Sequence, residues 1–370
     1  MNADSQTLNK RRVDIDWLRI LAVLLLVPFH SALIFNHEPQ VVMYVKDATN
    51  SFFLNRFAGW IHQFHMPLLF YVSGAATYFS LQKRSSWLYT KERFLKLLIP
   101  AISGLILIIP LIIYIHQVYN GTQIDFWQCY ANFWQFTPDL TGMDGHFTPA
   151  HLWFLIYLFV FSMVGLPFFM VFRKNGSEKS IKKLLDVTRV PIVIIALFTL
   201  SALSAKMNML GDKNPIFYFI FFVTGYVFMS DRRFQQHIDK YATLILIAGI
   251  ACEIARQLSY PFISSQTIIL VTGVLNRWLW LLAILAFGHQ FLNKSNHMLK
   301  YLSQSSYPFY LFHLLLNTIV GFYIVQIQAN VAVKYSIIVI LTILTTFVLY
   351  EIIRRIPVIR FLFGVKKQKT

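Results

Sequence analysis

Charge is what this sequence has least of. Only 13% of its 370 residues are Asp, Glu, Lys or Arg, where a water-soluble domain carries about 25%. With 56% hydrophobic residues beside so few charges, a soluble fold is excluded, because there is too little polar surface to cover the apolar remainder. Cysteine is nearly absent. Two residues, Cys129 and Cys252, are too few for a disulfide scaffold and belong to no metal-binding spacing. Acidic residues are scarce as well, 16 against 33 basic ones, for a net charge of +17. A nucleic-acid partner would need those basic residues gathered in a folded polar domain, and the sequence contains none. It also lacks internal repeats and low-complexity linkers. No small-residue cleavage site follows the first apolar run, which contains Arg19 and His30, so that run reads as a retained helix and not a removed signal peptide.

What the sequence has in abundance is long apolar runs. A helix needs about 20 apolar residues to cross the hydrocarbon core, and ten such runs separate themselves at 16–36, 56–81, 94–116, 151–172, 190–206, 215–230, 241–258, 267–291, 306–327 and 332–353. The fifth and sixth are short; fused across the Met207–Pro215 break they would leave nine. The expected fold is all-α, a polytopic bundle forming one membrane domain over 1–370, with a polar tail (1–13) and a basic tail (354–370). Lys and Arg accumulate on the cytoplasmic side of a membrane. With both termini cytoplasmic, 26 of the 33 basic residues fall on that side, and the longest outer loop, Gln117 to Ala150, has neither Lys nor Arg. Most of the +17 is therefore topology, and the partner it implies is the lipid bilayer.

An ionisable group inside a span costs about 2.5–3.5 kcal/mol on insertion scales, which makes each one a candidate for function. Arg19 and His30 are eleven residues apart, close to three helical turns, so an unbroken helix puts them on one face with a rise of about 16 Å. His62 and His65 share a face of the second span, and His65 lies about 14 Å from Arg56 at its outer border. His313 in the ninth span and Arg277 in the eighth lie about 11 and about 15 Å from their own borders. Groups from four helices thus gather near mid-membrane. Each also has a plainer reading. A buried histidine commonly serves only as a helix–helix hydrogen bond, worth about 0.6 kcal/mol, Asp16 pairs with Arg19 at i,i+3, and Arg93 and Lys96 serve as positive-inside anchors.

Six segments resemble, in order, the acyltransferase 3 family of multi-spanning membrane acyltransferases. They are DIDWLRILAVLLLVPFH (Asp14 to His30), HQFHMPLLFYVSGAATYF (His62 to Phe79), RFLKLLIP (Arg93 to Pro100), HLWFLIYL (His151 to Leu158), SSYPFYLFH (Ser305 to His313) and YEIIRRIPVIRFLFG (Tyr350 to Gly364). They cover nearly the whole chain, and the look is nearest to the periplasmic-glucan succinyltransferase branch. Lys96 departs from the two arginines of many members, and a lysine lacks the bidentate fork that suits phosphate.

The resemblance implies transfer of an acyl group from cytoplasmic acyl-CoA, acetyl-CoA or succinyl-CoA, to a hydroxyl of an envelope glycan, without a metal, at a bacterial inner membrane. His30 with Arg19 would be catalytic, His30 as general base or transient acyl carrier. Arg93 and Lys96 would hold the CoA phosphates. Asp16, His62, His65, His151, Trp153, Arg277 and His313 would support them or line the acceptor side. Two other functions compete: a glycan or lipid-linked-sugar flippase, for which the interrupted helix pairs of transporters are missing, and a non-catalytic assembly subunit.

Overall fold

Backbone N–H and C=O groups find no water inside a bilayer, so a chain this apolar must satisfy them within helices. The computed structural model, which describes residues 12–174, 177–207, 209–210, 213–259, 262 and 265–365, is helical with no strand among those residues. The expected tails lie outside the described residues at 1–11 and 366–370, as do positions 208, 211 and 212 of the Met207–Pro215 break. Among the described residues seven stretches are long and apolar enough to cross a membrane: Val13–Leu33, Ser86–Tyr119, Ala150–Arg173, Thr188–Ala205, Gln266–Phe291, His297–Ile324 and Val331–Ile353. The other three expected spans are also helices. One, Phe52–Lys83, is long but diluted by Arg56, His62, Gln63 and His65; Pro215–Ser230 has 16 residues; Ala242–Ser259 contains Glu253 and Arg256.

Proline sets several of the breaks. The first span is two helices, α1 (Val13–Leu24) and α2 (Leu26–Leu33), parted at Leu25. Pro28 has no N–H, so the carbonyl four residues earlier loses its helical donor. Leu25 itself keeps right-handed helical dihedrals (φ −64°, ψ −18°), and the Phe29 N–H donates to its carbonyl at 3.1 Å. Helix α3 (Phe52–Lys83) follows, then α4 (Ser86–Arg93), a π-helical turn at Phe94–Leu98, α5 (Ile99–Leu107) and α6 (Ile109–Tyr119). Ser85 caps α4 by accepting from the Leu88 N–H at 3.3 Å. Asp125 caps α7 (Phe126–Phe133), and α8 (Trp153–Lys174) starts from the 3₁₀ turn Ala150–Leu152.

Spans five and six are two helices. The first, α9 (Ser177–Ala205), changes direction at Arg189, where φ is 61°. The second, α10 (Pro215–Ser230), starts at the cap Asn214, whose side chain accepts from the Phe217 N–H at 3.1 Å and donates to the Ser204 carbonyl at 2.8 Å. After them come α11 (Arg232–Lys240), α12 (Ala242–Ser259), α13 (Gln266–Phe291), α14 (His297–Ile324), α15 (Val331–Ile353) and α16 (Pro357–Leu362).

The chain forms two compact units. Unit one comprises Met1–Ala22, Gln63–Arg84 and Gly165–Ser303. Within it α3 and α10 cross with their backbones touching, at Gly74 and Gly225, a close approach that only residues without a Cβ allow. Arg12 fastens the start of α1 by donating to Asp14 at 2.6 and 2.8 Å and to Gln235 of α11 at 3.0 Å.

Unit two comprises Val23–His62, Ser85–Val164 and Gln304–Thr370. In it α2 packs on α15, and the loop after α2 is tied down at several points. Asp47 accepts from Lys334 at 2.7 Å, the Asp47 N–H donates to the Ile34 carbonyl at 2.8 Å, and the Tyr44 hydroxyl donates to the Thr141 carbonyl at 3.1 Å. Both His116 nitrogens face carbonyl oxygens, of Tyr44 at 2.8 Å and Met143 at 3.2 Å, so this ring joins the two loops.

Candidate functional site

The expected histidines meet in unit two. His30, on the last turn of α2, has its ring centroid 5.2 Å from that of His313 on α14, and His313 is also 5.2 Å from His151 at the mouth of α8. Phe29 joins His62 to the group, edge-on to His30 at 5.0 Å and stacked on His62 at 6.3 Å. Four imidazoles from α2, α3, α8 and α14 therefore form one cluster. Their burial differs: His313 and His151 are buried, whereas His30 and His62 are partly exposed. A ring that meets a substrate must be reachable, and His30 is the reachable member of the pair it makes with His313.

Carbonyl oxygens fix the orientation of the buried rings. His313 Nδ1 lies 2.7 Å from the Tyr310 carbonyl, so this nitrogen carries the proton and Nε2 is the acceptor of the neutral ring. His151 Nε2 donates likewise to the Leu311 carbonyl at 3.0 Å, which leaves Nδ1 as its acceptor. The Tyr310 hydroxyl returns a bond to the His151 carbonyl at 2.5 Å, locking α14 to the start of α8. One residue past His30, the Ser31 hydroxyl accepts from the Asn317 amide at 2.8 Å, with both residues fully buried. Asn317 lies one turn beyond His313, so this bond clamps α2 to α14 beside the imidazole pair. Among the described residues no three His, Cys, Asp or Glu side chains are arranged to hold a metal ion.

Sequence reasoning passed over Ser31, Asn317 and Tyr310. Tyr310 stood inside a quoted motif, and Asn317 carried a readable signal, a polar amide at i+4 from His313 in an apolar helix.

The basic entrance belongs to unit two as well. Lys96 sits in the π-helical turn and pairs with Glu92, while the Arg93 guanidinium lies over the Tyr89 ring at 4.7 Å. Pro100 cannot donate to the Lys96 carbonyl four residues back. The Tyr307 hydroxyl donates to that carbonyl instead, at 2.5 Å. Such single π turns recur at functional sites because they widen a helix and re-aim its side chains. Tyr307 and His313 are six residues apart on α14, a rise of about 9 Å, which is the spacing along that helix between basic turn and imidazoles. Gly364, at φ 65°, passes so near that an added Cβ would lie 2.9 Å from Tyr307 and 3.1 Å from Pro100.

The other expected site residues are engaged differently. Arg19, in unit one, pairs with Asp16 at 3.2 Å and donates to the Ser303 hydroxyl at 2.7 Å. His65 is buried and donates to the Ala22 carbonyl at 2.8 Å, the helix–helix bond of the plainer reading. Arg277 reaches over Phe217 at 5.7 Å within unit one. Trp153, in unit two, stacks edge-on against Tyr157 at 5.0 Å.

The family described as an acyltransferase domain matches residues 12–351. Proteins named glucans biosynthesis protein C from Salmonella paratyphi B, Salmonella agona and Salmonella dublin are each 24% identical over 381 residues, covering 96% of this chain and 95% of theirs. No solved structure matches. Apolar helices, multiple spans and the match across nearly all of the sequence converge on one conclusion: the chain is an integral, multi-pass membrane protein and belongs to the acyltransferase 3 family.

Proposed function

We propose that the chain is an O-acyltransferase of a bacterial inner membrane, moving an acetyl or succinyl group from cytoplasmic acyl-CoA to a hydroxyl of an exported or envelope glycan. The observation that carries this reading is partly exposed His30 set against buried His313 in a chain of this family. The relatives' name supports a glucan-type acceptor. The basic residues beside the spans support ten crossings with both termini cytoplasmic.

In this reading Arg93 and Lys96 grip the phosphates of the donor, whose thioester extends along α14 toward the imidazoles. His30 removes the proton of the acceptor hydroxyl, the oxygen attacks the thioester carbonyl, and the carbon–sulfur bond breaks to release CoA. In the two-step variant His30 takes the acyl group first and passes it to the hydroxyl. Arg19, held by Asp16, anchors the cytoplasmic end of the first span, while His62, His151 and Trp153 line the acceptor side.

The test is transfer from radiolabelled acyl-CoA to glucan oligosaccharides in proteoliposomes. His30→Ala is expected to abolish transfer while leaving folding intact, and near-wild-type transfer by that variant would overturn the assignment. Acid-quenched protein separates the two routes, because label retained on His30 marks the acyl carrier. Mass spectrometry of the product identifies the group moved.

A further inference from the structure

In unit two the C-terminal segment after α15 folds back to the basic entrance. Glu351 pairs with Arg354 at 2.5 Å where α15 ends, and Pro357, its φ preset for a first turn, starts α16. Val358 and Phe361, three apart, form the exposed apolar face of this short helix. At about 100° per residue Arg360 lies about 130° from the middle of that face, and it is half-buried.

Packing then fixes what Arg360 is near. The Phe363 ring is buried edge-on against Phe312 of α14 at 4.7 Å. Gly364, at φ 65°, touches Tyr307 and Pro100 so closely that only a residue without a Cβ fits. The Val365 N–H donates to the Arg360 carbonyl at 2.9 Å, so Arg360 sits one tight turn back from this contact. Tyr307 in turn holds the Lys96 carbonyl of the π-helical turn. With α16 packed on α5, Arg360 comes to the same end of unit two as Arg93 and Lys96.

Charge decides its use. Lys96 is a point charge engaged by Glu92, without the fork that binds two phosphate oxygens at once. Arg360 has that fork. Among the described residues no carboxylate pairs with it, and Glu351, the only acid in 304–370, is engaged by Arg354.

We infer that Arg360 is a donor-binding residue whose guanidinium takes a phosphate of acyl-CoA together with Arg93 and Lys96, Gly364 letting α16 pack closely enough to present it. This rests on the reading that Arg93 and Lys96 grip the donor phosphates.

Calorimetric titration of the purified full chain with CoA, alongside kcat and KM for acyl-CoA in proteoliposomes, tests it. Arg360→Gln is expected to weaken CoA binding and raise KM about tenfold, the loss of one charge-assisted pair, with kcat nearly unchanged. Arg360→Lys keeps the charge without the fork and is expected to fall between. Gly364→Ala keeps the guanidinium but pushes α16 off Tyr307 and Pro100, and is expected to raise KM as well. Arg355→Gln removes an equal charge from an exposed position and is expected to leave both values unchanged. Thermal melting of each variant confirms that the fold persists. CoA binding by Arg360→Gln as tight as by the wild type would overturn the inference and leave the grip of Arg93 and Lys96 standing. An equal loss in Arg355→Gln would also overturn it, reducing Arg360 to general positive charge. Failure of the wild type to bind CoA would overturn the donor reading itself, and this inference with it.

Discussion

The Asn317 amide donates to the Ser31 hydroxyl at 2.8 Å, joining α14 to α2 at fully buried positions one turn past His313 and one residue past His30. Removing either partner leaves a buried polar group unsatisfied, at a cost of about 1–3 kcal/mol. Asn317→Ala and Ser31→Ala are therefore expected to lower the melting temperature, and their effects to be non-additive in the double variant. As a positioning pair they are also expected to lower kcat while leaving KM for acyl-CoA nearly unchanged, with Ser31→Thr restoring activity. Equal losses of kcat and protein stability in all variants would reduce the bond to a structural one.

The crossing of α3 and α10 predicts strict intolerance of side chains. A Cβ on Gly74 would lie 1.8 Å from the Phe222 carbonyl oxygen, and one on Gly225 would lie 1.9 Å from that of Tyr71. These are backbone atoms and cannot swing aside, so Gly74→Ala or Gly225→Ala must separate the helices. Size-exclusion profiles in detergent should show loss of the monodisperse protein. Gly59, where an added Cβ would meet nothing within 4 Å, is the control. Gly59→Ala should be neutral or stabilising by up to about 1 kcal/mol through helix propensity.

Lys334 and Asp47 form a buried ion pair at 2.7 Å in unit two, with Asp47 also accepting from the Thr49 N–H at 2.9 Å. Breaking such a pair from one side strands a charge and costs about 3–5 kcal/mol, whereas replacing both with apolar residues is often neutral. Lys334→Met alone should lower thermal stability markedly, and Lys334→Met with Asp47→Leu should recover most of the loss.

Acid should loosen the loop between α6 and α8. Desolvation opposes ionisation of Asp144, but bonds from the His146 ring at 2.9 Å, the His146 N–H at 3.0 Å and the Thr137 hydroxyl at 3.0 Å together hold its carboxyl below the usual range. A depressed carboxylate stabilises the fold above its unfolded pKa of about 3.9 and loses that contribution as pH falls through the folded value. Trp134, whose ring lies 6.5 Å from Phe147, reports this loop. Its emission, taken as the difference between the wild type and a Trp134→Phe variant, should stay constant from neutral pH to about pH 5 and shift below about pH 4. Asp144→Asn should remove that acid transition.

Membrane residence and the helix-only fold were legible because they follow from composition and run length alone: too few charges for a water-facing surface, and apolar segments of membrane-crossing length. The histidines were also legible as candidates, since an ionisable group in such a segment is conspicuous by its cost. Helical phase is a local quantity that orders residues only along one helix. It could not say that His65 bonds to a carbonyl while His313 meets His30, because both depend on which helices lie side by side. The polar supports escaped for the same reason: Ser31 and Asn317 are ordinary residues until packing brings positions far apart in the chain within 2.8 Å. Burial then decided the rest, leaving His30 reachable and His313 enclosed, since exposure belongs to the assembled helices and not to any one of them.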